Sequence, residues 1–344
     1  MFFFEKKNQK TFDRLSRPSG ESSTQTNESL LLLFFRKEVL SFFLPRIGQA
    51  LLATFGVLTI VFFIMRLSGD PTLLLVPEGA SAEQIAELRH QLGFDQPLAV
   101  QYVSYLHDMA RFDFGESLVQ RAPVWGIVTE RIPYTVVLAA GALVVALGIG
   151  IPAGIVMAVA RGSWIERVLA GVVLAGQSLP TFWSGILLIL LFGVTLRWLP
   201  TSGVDGFSSV IMPALALGAV AMSTFARMTR IAVLDELQRD YVNAARARGL
   251  SRWQAVRRHV LRNAAIPVVT IAALEIGNLL AGAVIVESVF AWPGLGQLAI
   301  QSIQSRDFLV VQAVVLFISL VYVAANLLAD LTYAAIDPRI RTGG

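Results

Sequence analysis

No cysteine occurs anywhere in the 344 residues. That excludes a disulfide scaffold and any cysteine-ligated metal site. Histidine is scarce as well: His90, His107 and His259 are the only three. Charge is equally sparse. Asp, Glu, Lys and Arg make up 15% of the chain, where a soluble globular protein carries about 25%. Several chemical signatures are also missing. There is no G-x-x-x-x-G-K-[ST] loop to cradle nucleotide phosphates and no H-E-x-x-H zinc helix. Gly115-x-Ser117 is followed by Val119, so the G-x-S-x-G nucleophile elbow fails too. What the chain has instead is apolar surface: 55% of residues are hydrophobic and the mean hydropathy is +0.64.

That surface is gathered into six runs. Ile47 to Met65, Ile132 to Ala160, Val168 to Leu196, Gly206 to Ala226 and Phe308 to Ala329 are uncharged, and Ala264 to Ala291 is interrupted only by Glu275 and Glu287. Each reaches the roughly 20 residues that a helix needs to cross a bilayer. The expected fold is therefore an all-α integral membrane protein with six transmembrane helices. Pro180 lies within the third run, where a kink is expected. With the N-terminus inside, the inner segments 1–46, 161–167, 227–263 and 330–344 hold 8, 2, 9 and 2 Lys/Arg, or 21 of the 28. The positive-inside rule then places both termini in the cytoplasm. This orientation leaves His90 and His107 outside and His259 inside, too far apart for one metal site.

The chain divides into a tail at 1–45, a first span with a large external loop at 46–131, a core at 132–334 and a short cytoplasmic tail at 335–344. The tail at 1–45 reads as partly disordered, ending in a surface-lying helix around Leu30–Phe35. The loop from Leu67 to Arg131 is net acidic. Ser81 to Gln91 reads as a helix stopped by Gly93, and Pro97 to Arg111 as a second. The loop is either a solvated cap or a platform for an external protein.

The most polar stretch of the core, Asp240 to Pro267, holds Arg246, Arg248, Arg252, Arg257, Arg258 and Arg262. Ala244, Ala245 and Ala247 favour helix. Gly249 suits a left-handed helix end. Ser251 with Gln254 is a capping-box pattern that restarts a helix, which then runs to Pro267. Two short helices joined by a turn at a membrane surface form a docking element. Their charge is also consistent with plain positive-inside anchoring. The membrane tethers on both sides argue against a DNA-reading role.

Asn243-Ala244-Ala245, Gly249 and His259-x-Leu261-Arg262 follow the spacing of the "EAA" loop of bacterial ABC-importer permeases, E-A-A, three residues, G, nine residues, I-x-L-P. Asn243, His259 and Arg262 depart from it. They match a variant of the dipeptide/oligopeptide branch, as do DFGES (Asp113–Ser117), ESVFAWPGLG (Glu287–Gly296), SRDF (Ser305–Phe308) and NLLADLTYAAIDPRIR (Asn326–Arg341). The chain thus resembles that family over residues 46–341. The resemblance implies a type I importer permease fold in the bacterial inner membrane, with a second homologous permease subunit and two ATP-binding cytoplasmic subunits. It also implies a substrate-binding protein outside. No cofactor belongs to this chain; ATP and magnesium sit on the ATPase subunits. The segment 240–263, with Asn243, Ala244, Ala245, Gly249, His259, Leu261 and Arg262, becomes the ATPase-coupling site, and no catalytic residue is implied. Substrates of related permeases range over dipeptides, oligopeptides, nickel chelates, glutathione, opines and sugars.

Three polar residues stand inside the last two-thirds of the core. Glu275 lies about 16 Å into its span at 1.5 Å per residue, and Asn278 shares its face. They line a translocation path, form a packed interhelical hydrogen bond, or meet the partner permease. Glu287, near the outer end, serves a gate or outer turn, or snorkels to water. The rival function is an ion-driven secondary transporter or channel with Glu275 as a proton site; a coupling segment has no use there. An intramembrane enzyme lacks a nucleophile–base pair.

Overall fold

A computed structural model describes residues 23–67, 81–91, 93–117 and 119–336. The first part of the N-terminal tail, the start of the external loop and the C-terminal IDPRIR end beyond Ile336 lie outside it. Apart from one isolated bridge between Glu116 and Pro123, the described regular structure is helical. We number the helices α1 (Ser23–Leu67), α2 (Ala82–Gln91), α3 (Leu98–Arg111), α4 (Val124–Thr129), α5 (Ile132–Val159), α6 (Trp164–Ser178) and α7 (Thr181–Leu188, extended by a π-helix Ile189–Thr195). Then follow α8 (Ser208–Leu237), α9 (Asp240–Ala247), α10 (Arg252–Ala255, extended by a π-turn Val256–Val260), α11 (Leu261–Val289), α12 (Leu295–Gln304) and α13 (Phe308–Ile336).

Among the described residues, four helices are long and apolar enough to cross a bilayer, and two bent pairs raise the number to six when each is taken as one span. The six runs are all found, with two corrections to their form. The third is not one helix. α6 ends at Ser178, Leu179 is extended, and Pro180 caps α7, so the chain turns by 110° between them. Proline removes an N–H and pushes the preceding residue out of the helical region, and both effects act here. The first run is the end of a longer helix. α1 begins at Ser23 and passes through Pro45, so residues 23–45 belong to it rather than to a separate surface helix.

The core is built where α5, α8 and α11 meet. Leu138, Ala142 and Ala146 face Met212, Leu217, Ala221 and Phe225, and Leu279, Ala283 and Val286 close the third side under Phe290 and Trp292. Lipid is as apolar as these side chains, so helices associate in it through close packing rather than burial from water. The α5–α8 contact shows how close. A Cβ on Gly150 would stand 2.6 Å from the Met222 carbonyl, and one on Gly154 would stand 2.5 Å from the Ala226 carbonyl. Gly218 answers from α8, 2.7 Å from the Ala142 carbonyl.

The loop helices α2 and α3 form as expected. Ser81 and Gln84 make a reciprocal capping box at the start of α2, and Gly93 follows its end at φ +69°. α3 docks on α1: Tyr105 donates to the Leu58 carbonyl at 3.3 Å, Thr59 and Tyr102 share a hydrogen bond at 2.7 Å, and Phe62 is buried against both tyrosines. The DFGES and SRDF motifs meet here. The Ser117 hydroxyl donates to the carboxylate of buried Asp307, just before α13. At the opposite end, Ser163 caps α6 and Glu166 accepts from Gly162 N–H (2.6 Å) and Arg230 (Nη2, 2.5 Å). The Gly162 N–H and the Arg230 guanidinium hold this carboxyl below the usual carboxylate range.

Candidate coupling site

α8 runs past its apolar stretch to Leu237, and the chain turns at Gln238 and Arg239 into α9. The short α9 has two faces. Val242 (0% exposed) packs with Ala158, Ala232 and Val233 from α5 and α8, and Ala245 (3%) is buried as well. Asn243, Ala244 and Ala247 are exposed. Gly249 follows at φ +91°, a region other residues avoid, with open space where a Cβ would be. Ser251 and Gln254 then exchange hydrogen bonds: Ser251 N–H donates to Gln254 Oε1 at 2.9 Å, and Gln254 N–H to Ser251 Oγ at 3.3 Å. This is the reciprocal box that the spacing predicts.

The second helix departs from expectation. It does not end at Pro267. It passes from α10 through the π-turn into α11, with Pro267 inside that helix. Proline is tolerated within membrane helices because neighbours and local π adjustments re-satisfy the freed groups. The second short helix is therefore the root of the fifth span. Ala255, Val256, Val260 and Ala264 bury the joint.

The seven residues singled out from the sequence fall into two groups. Asn243, Ala244, Gly249, His259 and Arg262 are exposed, whereas Ala245 is buried, and Leu261 is half-buried against the apolar cluster that holds the segment down. The sequence reading missed Val242 and Val260 as anchors. Their signal was Val242 with Ala245, an i, i+3 apolar pair in an otherwise polar helix. It also missed a polar tie. Tyr241 donates to the Glu236 carboxylate, and Asn263 Nδ2 donates to Tyr241 Oη at 3.1 Å and to Glu236 Oε2 at 3.4 Å. Partial burial, with Glu236 next to it, pushes the Tyr241 phenol up. The tie joins α8, α9 and α11 on the exposed side of the segment.

The three polar span residues are placed differently from one another. Glu275 is half-buried and Asn278 exposed; Asn278 Nδ2 approaches Glu275 Oε2 at 3.4 Å, a weak bond. Glu287 is fully buried, so it does not snorkel. Thr135 Oγ1 donates to its Oε1 at 2.7 Å, and Gly296 and Gln297 N–H donate to its Oε2 at 2.7 and 3.1 Å. Thr135 in turn accepts from Leu295 N–H at 2.8 Å. These are the first N–H groups of α12, which have no partner inside their own helix. Glu287 and Thr135 thus seat α12 under the PGLG turn. Glycine is required there, since a Cβ on Gly294 would stand 2.1 Å from Glu287 Oε1 and one on Gly296 2.4 Å from Val284 Cα.

The described residues thus form a bundle of apolar spans, two of them bent, with the α9–α10 pair rooted between α8 and α11. The chain belongs to the family described as "Binding-protein-dependent transport system inner membrane component", which it matches over residues 150–342; the family's N-terminal region matches residues 39–139. The family supplies the membrane permease of ABC importers, multi-pass in the inner membrane, while ATP is hydrolysed on separate subunits and substrate arrives on a binding protein. The chain is 42% identical over 304 residues to the glutathione transport system permease protein GsiC of Escherichia coli (strain K12), covering 88% of this chain and 99% of that one. It is 43% identical over 304 residues to its counterpart from Salmonella choleraesuis. Among solved structures it resembles an inward-facing MetNI methionine ABC transporter at TM-score 0.54 and 21% identity, over 62% of this chain and 98% of that one. That likeness concerns the fold.

Proposed function

We propose that this permease imports short peptides or peptide-like compounds such as glutathione. It would act beside a second, homologous permease subunit and above two ATP-binding subunits that hold ATP and magnesium. The name of the 42% identical relative supports a glutathione-like substrate, and the branch motifs support a di- or oligopeptide. Both are chains of peptide-bonded residues with free ends. In this reading the termini and the α9–α10 segment are cytoplasmic, as the Lys/Arg distribution favours. The acidic loop with α2 and α3 faces the binding protein.

The observation that carries the reading is the two-faced α9. Val242 fixes it to α5 and α8 and Ala245 is buried, while Asn243, Ala244 and the Gly249 turn stand exposed for a partner. Small residues on the exposed face allow a partner's groove to approach the helix closely. When the ATPase dimer closes on ATP, α9 moves with it. The π-turn and α11 carry that displacement into the bundle, and hydrolysis reverses it. Glu275 and Asn278 line the path on the α11 face, and Glu287 holds the outer turn.

The test is affinity purification from native membranes in mild detergent, with the associated chains identified by mass spectrometry. A second permease and one or two P-loop ATPases are expected. Recovery of the chain alone, or as a homo-oligomer without an ATPase even after crosslinking, sinks the reading. It would turn attention to ion-driven uptake.

A further inference from the structure

Arg227 and Glu275 are charged side chains at membrane depth that the coupling segment does not use. On α8 successive residues turn by about 100°. One side faces α6: Ser223 Oγ donates to the Val173 carbonyl at 2.8 Å, and Gly176 lies against Ala219. Another side faces α11, where a Cβ on Gly282 would stand 3.1 Å from Leu217. Between these two sides runs an open stripe, with Val220, Arg227 and Ile231 exposed and Thr224 half-buried.

Both neighbours add polar groups to the borders of this stripe. From α6, Gln177 Oε1 accepts from Arg227 Nη1 at 2.5 Å. Gln177 lies about 16 Å along α6 from Glu166, which holds Arg230, at roughly 1.5 Å per residue. Arg227 therefore reaches along α6 toward its end at the Leu179–Pro180 break, while Arg230 reaches toward its start. From α11, Glu275 precedes Gly282 by one heptad and so shares its α8-facing side. α8 and α11 run antiparallel. Seven residues along each from the Leu217–Gly282 contact come Thr224 and Glu275, at one level. Asn278 stands next to Glu275.

The two charges are not spent on each other. Among the described residues no ion pair joins them, and the hydrogen bond recorded for each goes to a neutral carboxamide, Gln177 for Arg227 and Asn278 for Glu275. Charges at such depth are costly unless they face water, a partner or a ligand. A guanidinium suits a carboxylate, and a carboxylate suits an ammonium.

We propose that this face of α6, α8 and α11 binds a zwitterion, with Arg227 taking the carboxylate and Glu275 the ammonium of a short peptide. The proposal rests on the reading that Glu275 and Asn278 line the path, and it adds Arg227, Gln177 and Thr224 as contacts together with the substrate class. Both free ends of the substrate are recognised, so a peptide blocked at both ends is refused.

The absence of cysteine supplies the test. Thr224→Cys places the only thiol in this chain on the stripe. The permease–ATPase complex, purified without binding protein, is treated with a water-soluble maleimide, and labelling of this chain is followed. S-methylglutathione and trialanine at millimolar concentration are expected to slow labelling about tenfold, the scale of one charged hydrogen-bonded contact. N-acetyl-trialanine amide is expected to have no effect. Adding Arg227→Gln or Glu275→Gln is expected to remove the protection while the ATPase still co-purifies. A thiol that reacts but is protected by neither zwitterion, or equally by the blocked peptide, overturns the ligand class and leaves the path reading standing. A thiol that fails to react in an intact complex overturns the placement of the stripe on a water-filled path. Absence of the ATPase from the preparation is a failure of the importer reading instead.

Discussion

Replacing Gly249 with glutamate is expected to reduce ATP-driven uptake at least tenfold while leaving the protein inserted at normal abundance. Gly249 sits at φ +91° with nothing within 4 Å of a Cβ position. The substitution therefore meets no steric wall. Its cost is conformational, about 1–2 kcal/mol for an L-residue held in the left-handed region, and that is too little to unfold six spans. It does change where α9 ends and places an anion on the exposed face beside Ala244. Gly249→Asn separates the two effects, since asparagine tolerates the left-handed region and adds no charge. Uptake of a labelled peptide into energised membrane vesicles, normalised to the amount of permease, checks the pair. Asparagine is expected to retain most activity and glutamate to lose it. Normal uptake by the glutamate variant would remove α9 from the coupling role.

The second large effect is expected at the opposite end. Glu287→Leu takes the acceptor from Thr135 and from the Gly296 and Gln297 N–H groups at once. Each buried group left unpaired costs about 1–3 kcal/mol, so a loss of several kcal/mol falls on the packing of α12 under the α5–α11 core. A drop in thermal midpoint on the order of 10 °C in detergent follows from the usual conversion. Glu287→Gln keeps one acceptor oxygen for the N–H pair and is expected to fall between. Equal midpoints for the leucine variant and the parent, measured by the loss of monodisperse protein on heating, would show that α12 is held by something else. The glutamine variant then serves the functional question: uptake lost beyond the loss of stability would assign Glu287 to the turn's movement as well as to its seat.

The spans and the two short helices α9 and α10 were legible because their signals are local. An uncharged run of twenty or more residues has one physical solution in a bilayer. Gly249 with Ser251 and Gln254 has one at a helix junction, and both appear at the expected residues. Two features were illegible for the opposite reason. The 110° turn at Leu179–Pro180 depends on Pro180, which reads equally as a mild kink or a full break. The passage of α11 through Pro267 depends on neighbours that only the folded bundle supplies. The candidate site was half legible. Its exposed residues were found, but Ala245 and Leu261 were grouped with them although they face inward. Val242 and Tyr241 went unread because their roles rest on contacts with α5, α8 and α11. Arg227 was counted as an inner-edge charge. Its pairing with Gln177 lies fifty residues away in the chain.

The glycine-lined contact between α5 and α8 has a mechanical corollary. Where backbone meets backbone at Gly150, Gly154 and Gly218, there are no side-chain rotamers to rearrange, so the two helices cannot slide without parting. They behave as one beam. Movement during a transport cycle must then be taken up at the softer joints: the Pro180 elbow, the π-turn at Val256–Val260 and the π-helix at Ile189–Thr195. A permease built this way resembles a linkage with one stiff member and a few hinges. Its working stroke is set by the geometry of the hinges rather than by compliance spread through the bundle.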